Sequence, residues 1–142
     1  MTMESVRIRE VIENWLRTWN VPQRYHSFWL EECDIKLSLK YRAPAATIVQ
    51  TREIFVRPEW ANPGIIAHEV CHIVWQFLSA SQRESFQKDL TDALKHDYLI
   101  RLAWQTKRYM QSNKVEAHAD VYRYLGDRMP EVLKSYYPKL LV

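Results

Sequence analysis

Glycine is nearly absent from this chain, with only Gly64 and Gly126 in 142 residues. That excludes the glycine-rich dinucleotide fingerprint and the phosphate-binding P-loop, each of which needs glycines at fixed short spacing. Cysteine is as scarce. Cys33 and Cys71 are too few for a disulfide framework. Long apolar runs are missing, and nothing approaches the ~18 residues of a membrane span. The first residues, with Glu4, Arg7, Arg9, Glu10 and Glu13, contain no apolar signal-peptide core. The expectation is a chain with no membrane span, in a reducing, cytoplasmic compartment. Neither sign of charge dominates. The 20 Lys and Arg against 17 Asp and Glu leave a net charge of +3. So mild a balance favours a mixed-charge surface over nucleic-acid binding. No repeat or linker divides the chain, so one domain over 1–142 is expected.

Aromatic side chains are plentiful, with 6 Trp and 8 Tyr. They imply a core or groove of flat rings with polar edges. Val11, Ile12, Trp15, Leu16 and Trp19 form a helical stripe within 3–19, which Asn20-Val21-Pro22 ends. Across 28–42 the pattern turns to alternation, with Ile35, Leu37, Leu39 and Tyr41 set between polar residues, the period of a half-buried strand. Two β-type runs, 47–49 and 54–56, are separated by 50–53 and suggest a hairpin or a bent strand. Asn62-Pro63 is an N-cap followed by proline at the first helical position, and the helix it opens runs to Phe77. Ser81-x-x-Glu84 reads as a capping box for a helix to about His96, with a kinked continuation through Met110. A further helix spans 113–125 and is closed by Gly126, and a short one follows Pro130.

Inside the helix after Pro63 stands His68-Glu69-Val70-Cys71-His72. Two His four apart share a helix face, so both imidazoles can reach one metal ion. Glu69 lies beside that ion, placed to take a proton from a bound water. A shuffled chain of this composition would contain on the order of 0.01 such motifs. A catalytic zinc needs a third protein ligand and an open position. Downstream, Glu116 and Asp120 are four apart on one helix face. Glu116 is the candidate ligand, and Asp120 the candidate acceptor for the outer N–H of a ligand His. Ala117 and Ala119 would let two helices approach closely. Alternatives stay open: Glu116 also fits a helix-capping position after Asn113, and His118 or Asp120 are rival ligands. His26 and His96 read as surface or structural residues, and Cys71 as core.

His68-Glu69-x-x-His72 followed by Glu116-x-x-Ala119-Asp120 resembles the gluzincin metallopeptidases. The likeness is strongest to the membrane peptidases that trim prenylated proteins and to their soluble relatives, the minigluzincins. The region around Glu116 also resembles the regulators that cleave phage repressors. The resemblance implies a mainly helical, zincin-like α+β fold with a small β-sheet or hairpin before the H-E-x-x-H helix. It also implies a single minimal metallopeptidase-like domain over 1–142, and an edge strand that holds substrate extended. It implies zinc on His68, His72 and Glu116, Glu69 as the catalytic base, Asp120 behind a ligand His, and a peptide or protein substrate. The expected function is a soluble zinc-dependent endopeptidase. Tyr98, His96, Tyr122 and His118 are candidates for stabilising the oxyanion. Tyr136, Tyr137, Leu140 and Leu141 make the C-terminal tail apolar enough to occupy a cleft, which implies latency; the competing reading packs it on the core. The alternative function is a non-catalytic or regulatory peptidase-like binding module for protein or nucleic acid.

Overall fold

A computed structural model describes residues 3–142, with side chains from Arg7 onward. The first six side chains, Val6 among them, lie outside the described ones. The described residues form six α-helices and one three-stranded sheet. The architecture is mainly helical α+β. In chain order the elements are α1 (Met3–Thr18), β1 (Asp34–Leu37), β2 (Ala45–Ile48), β3 (Glu53–Val56), α2 (Pro63–Trp75), α3 (Ala80–His96), α4 (Tyr98–Thr106), α5 (Lys114–Leu125) and α6 (Glu131–Lys134). No helix among the described residues is long and apolar enough to cross a membrane.

The sheet has the order β1-β3-β2. β2 and β3 form the expected hairpin, antiparallel with Ala45 opposite Val56 and Ile48 opposite Glu53. Arg52 turns the chain between them at φ 60°. β1 runs parallel to β3, Asp34 opposite Glu53. The central strand carries the buried face, Ile54 and Val56. The strand expected across 28–42 is much shorter. Phe28–Glu32 is a π-helical turn, and its Phe28 and Trp29 go into the core. Beyond Leu37 the ladder stops, Leu39 faces solvent and Tyr41 packs on Phe55. Alternation in sequence persisted past the point where partner strands were available to hold it.

α2 is the central helix. Asn62 Oδ1 accepts from the Ile65 N–H at 3.0 Å, with Pro63 in the first turn. Residues from Ile66 to Trp75 are buried, His72 excepted. A helix apolar on nearly every side must be covered on nearly every side. The sheet lies against one flank and α5 against another. The helix ends at Trp75, two residues before the expected Phe77, which sits half-exposed edge-on to Phe28.

α3 begins at Ala80, capped by Ser79 and not by Ser81. Ser79 Oγ accepts from Gln82 N–H at 3.2 Å, and Gln82 Oε1 accepts from Ser79 N–H at 2.8 Å. Ser79 holds the extended backbone a cap needs, and Gln82 serves where Glu84 was expected. α3 and α4 are separate helices. Asp97 is extended between them, and its carboxylate caps α4 through Ile100 N–H at 2.9 Å. Tyr109 and Met110 lie in a 3-10 turn, Arg108–Gln111.

An aromatic cluster anchors the far side of α5. Trp15 packs on Trp19, Trp29 and Tyr122 with ring centroids 4.3, 4.8 and 5.7 Å apart. Gly126 ends α5 at φ 52°, and a Cβ there would lie 2.1 Å from Trp19 Cε3. Both the backbone and the neighbour demand glycine. Gly126→Ala is therefore expected to lower stability by about 2–4 kcal/mol through strain and overpacking. Urea unfolding followed by tryptophan fluorescence measures it; an unchanged midpoint would refute this account of the α5 terminus.

Candidate metal centre

α2 and α5 bring three side chains to one point. The ligand atoms of His68, His72 and Glu116 all lie within 4.8 Å of one another, the one such group among the described residues. His68 Nε2 is 2.8 Å from Glu116 Oε2, and His72 Nε2 is 3.5 Å from Glu116 Oε1. Two imidazole nitrogens and a carboxylate oxygen around a tetrahedral zinc are separated by about 3.3 Å, given bonds of 2.0–2.2 Å. The observed separations bracket that value. The imidazole planes of His68 and His72 stand at 84°, their centroids 4.9 Å apart.

Glu116 owes its place to local chemistry. Asn113 caps α5 by accepting the Glu116 N–H at 3.0 Å, which sets the side chain on the first turn. Capping position and ligand position are the same residue. Its Oε2 is buried and accepts no well-formed hydrogen bond, although it touches His68. A buried carboxylate oxygen whose nearest donor is poorly aimed is left partly unsatisfied. A cation between it and the two imidazoles would satisfy it, and in this respect the residues present fit zinc.

Asp120, 1% exposed, accepts from His68 Nδ1–H at 2.5 Å. That bond fixes the ring so that Nε2 faces Glu116 and His72. Burial pulls the His68 pKa down, but Asp120 and Glu116 override it and carry it up to about 9. His72, with burial as the main influence, is held below the ordinary histidine value. Burial raises Glu116, yet His68 and His72 outweigh it and leave its carboxyl below the usual range. These neighbours favour an imidazolium at His68, a carboxylate at Glu116 and a neutral imidazole at His72.

Glu69 sits at the same edge, its Oε2 3.8 Å from His68 Nε2. Thr47 on β2 donates to Glu69 Oε1 at 3.0 Å. This leaves Oε2 as the free oxygen. Both His68 and Glu69 line a cavity of about 340 Å³ walled by Ala43, Pro44, Ala45, Trp60, Ile65, Tyr109 and Arg123. Tyr109, on the turn before α5, has its ring centroid 6.0 Å from that of His68. Burial and the nearby carboxylates of Glu116 and Glu69 raise its phenol above the ordinary value, so it remains a donor at neutral pH.

The remaining candidates lie elsewhere. His118 is fully buried on the opposite side of α5. Its Nε2–H donates to Tyr136 O at 2.7 Å, its ring stacks on Tyr137 at 4.3 Å, and burial takes its pKa down to about 3. It is not a rival ligand. Of the oxyanion candidates, Tyr98 and His96 are exposed on α4 and α3, and Tyr122 is buried in the aromatic cluster; none of these, nor His118, lines the cavity. Tyr109 is the tyrosine that lines it, and no sequence pattern marked it, because a 3-10 turn carries no periodic signal. His26 bonds Val21 O at 2.9 Å. Cys33 and Cys71 are buried thiols, Cys33 pushed by burial up to about 12 and Cys71 likewise raised. Tyr136, Tyr137 and Leu140 of the tail are buried in the core, and the tail supplies no wall of the cavity.

A metal ion must displace the proton that His68 carries below about pH 9. Zinc affinity is therefore expected to rise about tenfold per pH unit between 6 and 8 and to level off near 9, as measured by competition with a chromophoric chelator. A pH-independent affinity would contradict the protonated His68. Asp120→Asn removes the carboxylate that orients His68, and zinc affinity is expected to fall about 10–100-fold.

No protein-family model, curated protein or solved structure matches this chain.

Proposed function

We propose that this chain is a soluble, cytoplasmic zinc-dependent endopeptidase. The observation that carries the reading is the convergence of His68, His72 and Glu116, with Glu116 Oε2 buried and lacking a well-formed hydrogen bond, beside an oriented Glu69. Two imidazoles and one carboxylate leave a fourth position open, the arrangement of catalytic rather than structural zinc. Zinc bound there supplies a polarised water and an electrophilic contact for a carbonyl oxygen.

The chain's own residues do the rest. Glu69 takes the proton of the attacking water on Oε2, while Thr47 holds Oε1 and with it the carboxylate plane. As the C–N bond breaks, Glu69 returns that proton to the departing amine. Tyr109 donates its phenolic hydrogen toward the oxygen that gains charge, from the cavity wall next to His68. Asp120 keeps His68 in one tautomer and orientation throughout. β2 is an edge strand, and its first residue, Ala45, lines the cavity. Its unpaired backbone groups suit an extended peptide laid alongside. A single cavity joining an edge strand to the metal centre supports a peptide over a compact small-molecule substrate.

Glu69→Gln is expected to retain one zinc per chain and to lose about 10²–10⁴-fold in kcat on a casein or peptide substrate. Undiminished turnover would remove Glu69 from the role of base. Glu116→Ala is expected to lose most bound zinc at micromolar protein, read by elemental analysis. Tyr109→Phe should keep zinc and lower kcat by about 10²-fold with little change in KM. Wild-type protein that holds zinc stoichiometrically yet cleaves nothing, with or without chelator, would support the alternative of a non-catalytic binding module.

A further inference from the structure

One charged group in the cavity takes no part in the reaction proposed above. Arg123 lines the cavity together with His68 and Glu69. Among the described residues it makes no ion pair with any carboxylate, although it lies on α5 one turn beyond Asp120. Its guanidinium lies over the Tyr124 ring, 4.9 Å from the centroid. Its stem crosses from α5 to the first turn of α2. A Cβ built on Gly64 would stand 3.3 Å from Arg123 Nε and 3.7 Å from Cγ. The missing side chain of Gly64 is the space that the arginine uses. The contact with the ring, which Lys107 Nζ also approaches at 5.1 Å, uses none of the guanidinium N–H groups, which are the groups that bind a carboxylate in bidentate fashion.

Position gives this group its meaning. Gly64 precedes His68 by four residues, so Arg123 meets α2 ~6 Å along its axis before His68, the nearer of the two imidazoles. An extended peptide advances ~3.3 Å per residue. The cation therefore stands about two residues from a peptide bond held at Glu69. Trp60, Ile65 and Pro44 line the same cavity and suit an apolar residue there. We propose that Arg123 is a specificity-determining residue that binds a substrate carboxylate about two residues from the scissile bond, toward the N-terminus of α2. The inference rests on the peptidase reading. The carboxylate is an Asp or Glu side chain or a free C-terminus; the chemistry recognised is the same.

The test separates the two sources and separates this inference from the peptidase reading. Zinc-loaded, full-length Glu69→Gln protein is titrated with four fluorescein-labelled peptides and read by anisotropy. The peptides share an apolar centre. They differ only in Glu or Gln two residues either side of the central bond, and in a C-terminal acid or amide. A peptide with the recognised carboxylate should bind about tenfold tighter than its amide counterpart. The interior or the terminal pair that shows the difference identifies the source. Arg123→Gln in the same background should abolish the difference, and Arg123→Glu should reverse it in favour of the uncharged counterpart, with zinc stoichiometry and melting temperature unchanged. Equal affinity for acid and amide, a preference that survives Arg123→Gln, or no binding of any of the four overturns the proposal. Wild-type hydrolysis that is equal for acid and amide peptides sinks the role of Arg123 alone. An Arg123-dependent preference without hydrolysis by the wild type sinks the peptidase reading and leaves carboxylate binding standing.

Discussion

The hydrogen bond between Asp120 and His68 ties α5 to α2, and the site depends on it. Asp120 is almost wholly removed from water, and His68 is its partner there. Sliding one helix along the other by a single turn would move the pair apart by ~5.4 Å and leave a buried charge without compensation. The register of the two helices is thus held by electrostatics as well as by packing. With that register in place, Glu116, one turn from Asp120, faces both imidazoles. The small Ala117 and Ala119, both buried, take part in the α5 packing without bulk.

The two sides of α5 do different work. One side presents Glu116, Asp120 and Arg123 to α2 and the cavity. The other presents His118 and Tyr122 to the core, where Tyr137 stacks on His118 and donates through its hydroxyl to His118 O at 2.8 Å. The tail is therefore part of what holds α5 from behind. The sheet plays the corresponding part for α2. Thr47 reaches from the edge strand to both the side chain and the backbone carbonyl of Glu69. The 3-10 turn that carries Tyr109 is followed directly by Asn113, which starts α5. Backbone geometry at that one junction places both the phenol and the third candidate ligand.

Much of this was legible in the sequence where the signal was local. Asn62-Pro63 announced α2, the runs at 47–49 and 54–56 announced the hairpin, and Gly126 announced the end of α5. The spacing of His68, His72, Glu116 and Asp120 placed the four on the faces where they are found. Reading failed where a local pattern had rivals. Ser79 and Ser81 both resemble caps, and backbone conformation chose Ser79. Alternation across 28–42 suggested one strand, but Phe28 and Trp29 were drawn into the aromatic core and only 34–37 found a partner. The kink expected after His96 is a full break, because the Asp97 side chain caps the next helix.

The sequence by itself determined the donor set, because helical periodicity puts residues four apart on one face wherever the helix goes. It also determined that α2 could not stand alone, since that helix is apolar around nearly its whole circumference. Only the tertiary structure decided that the two faces meet, that Thr47 turns Glu69, and that Tyr109 and Arg123 wall the cavity. Those relations join segments 20 to 60 residues apart through packing and desolvation, and no short-range pattern encodes them.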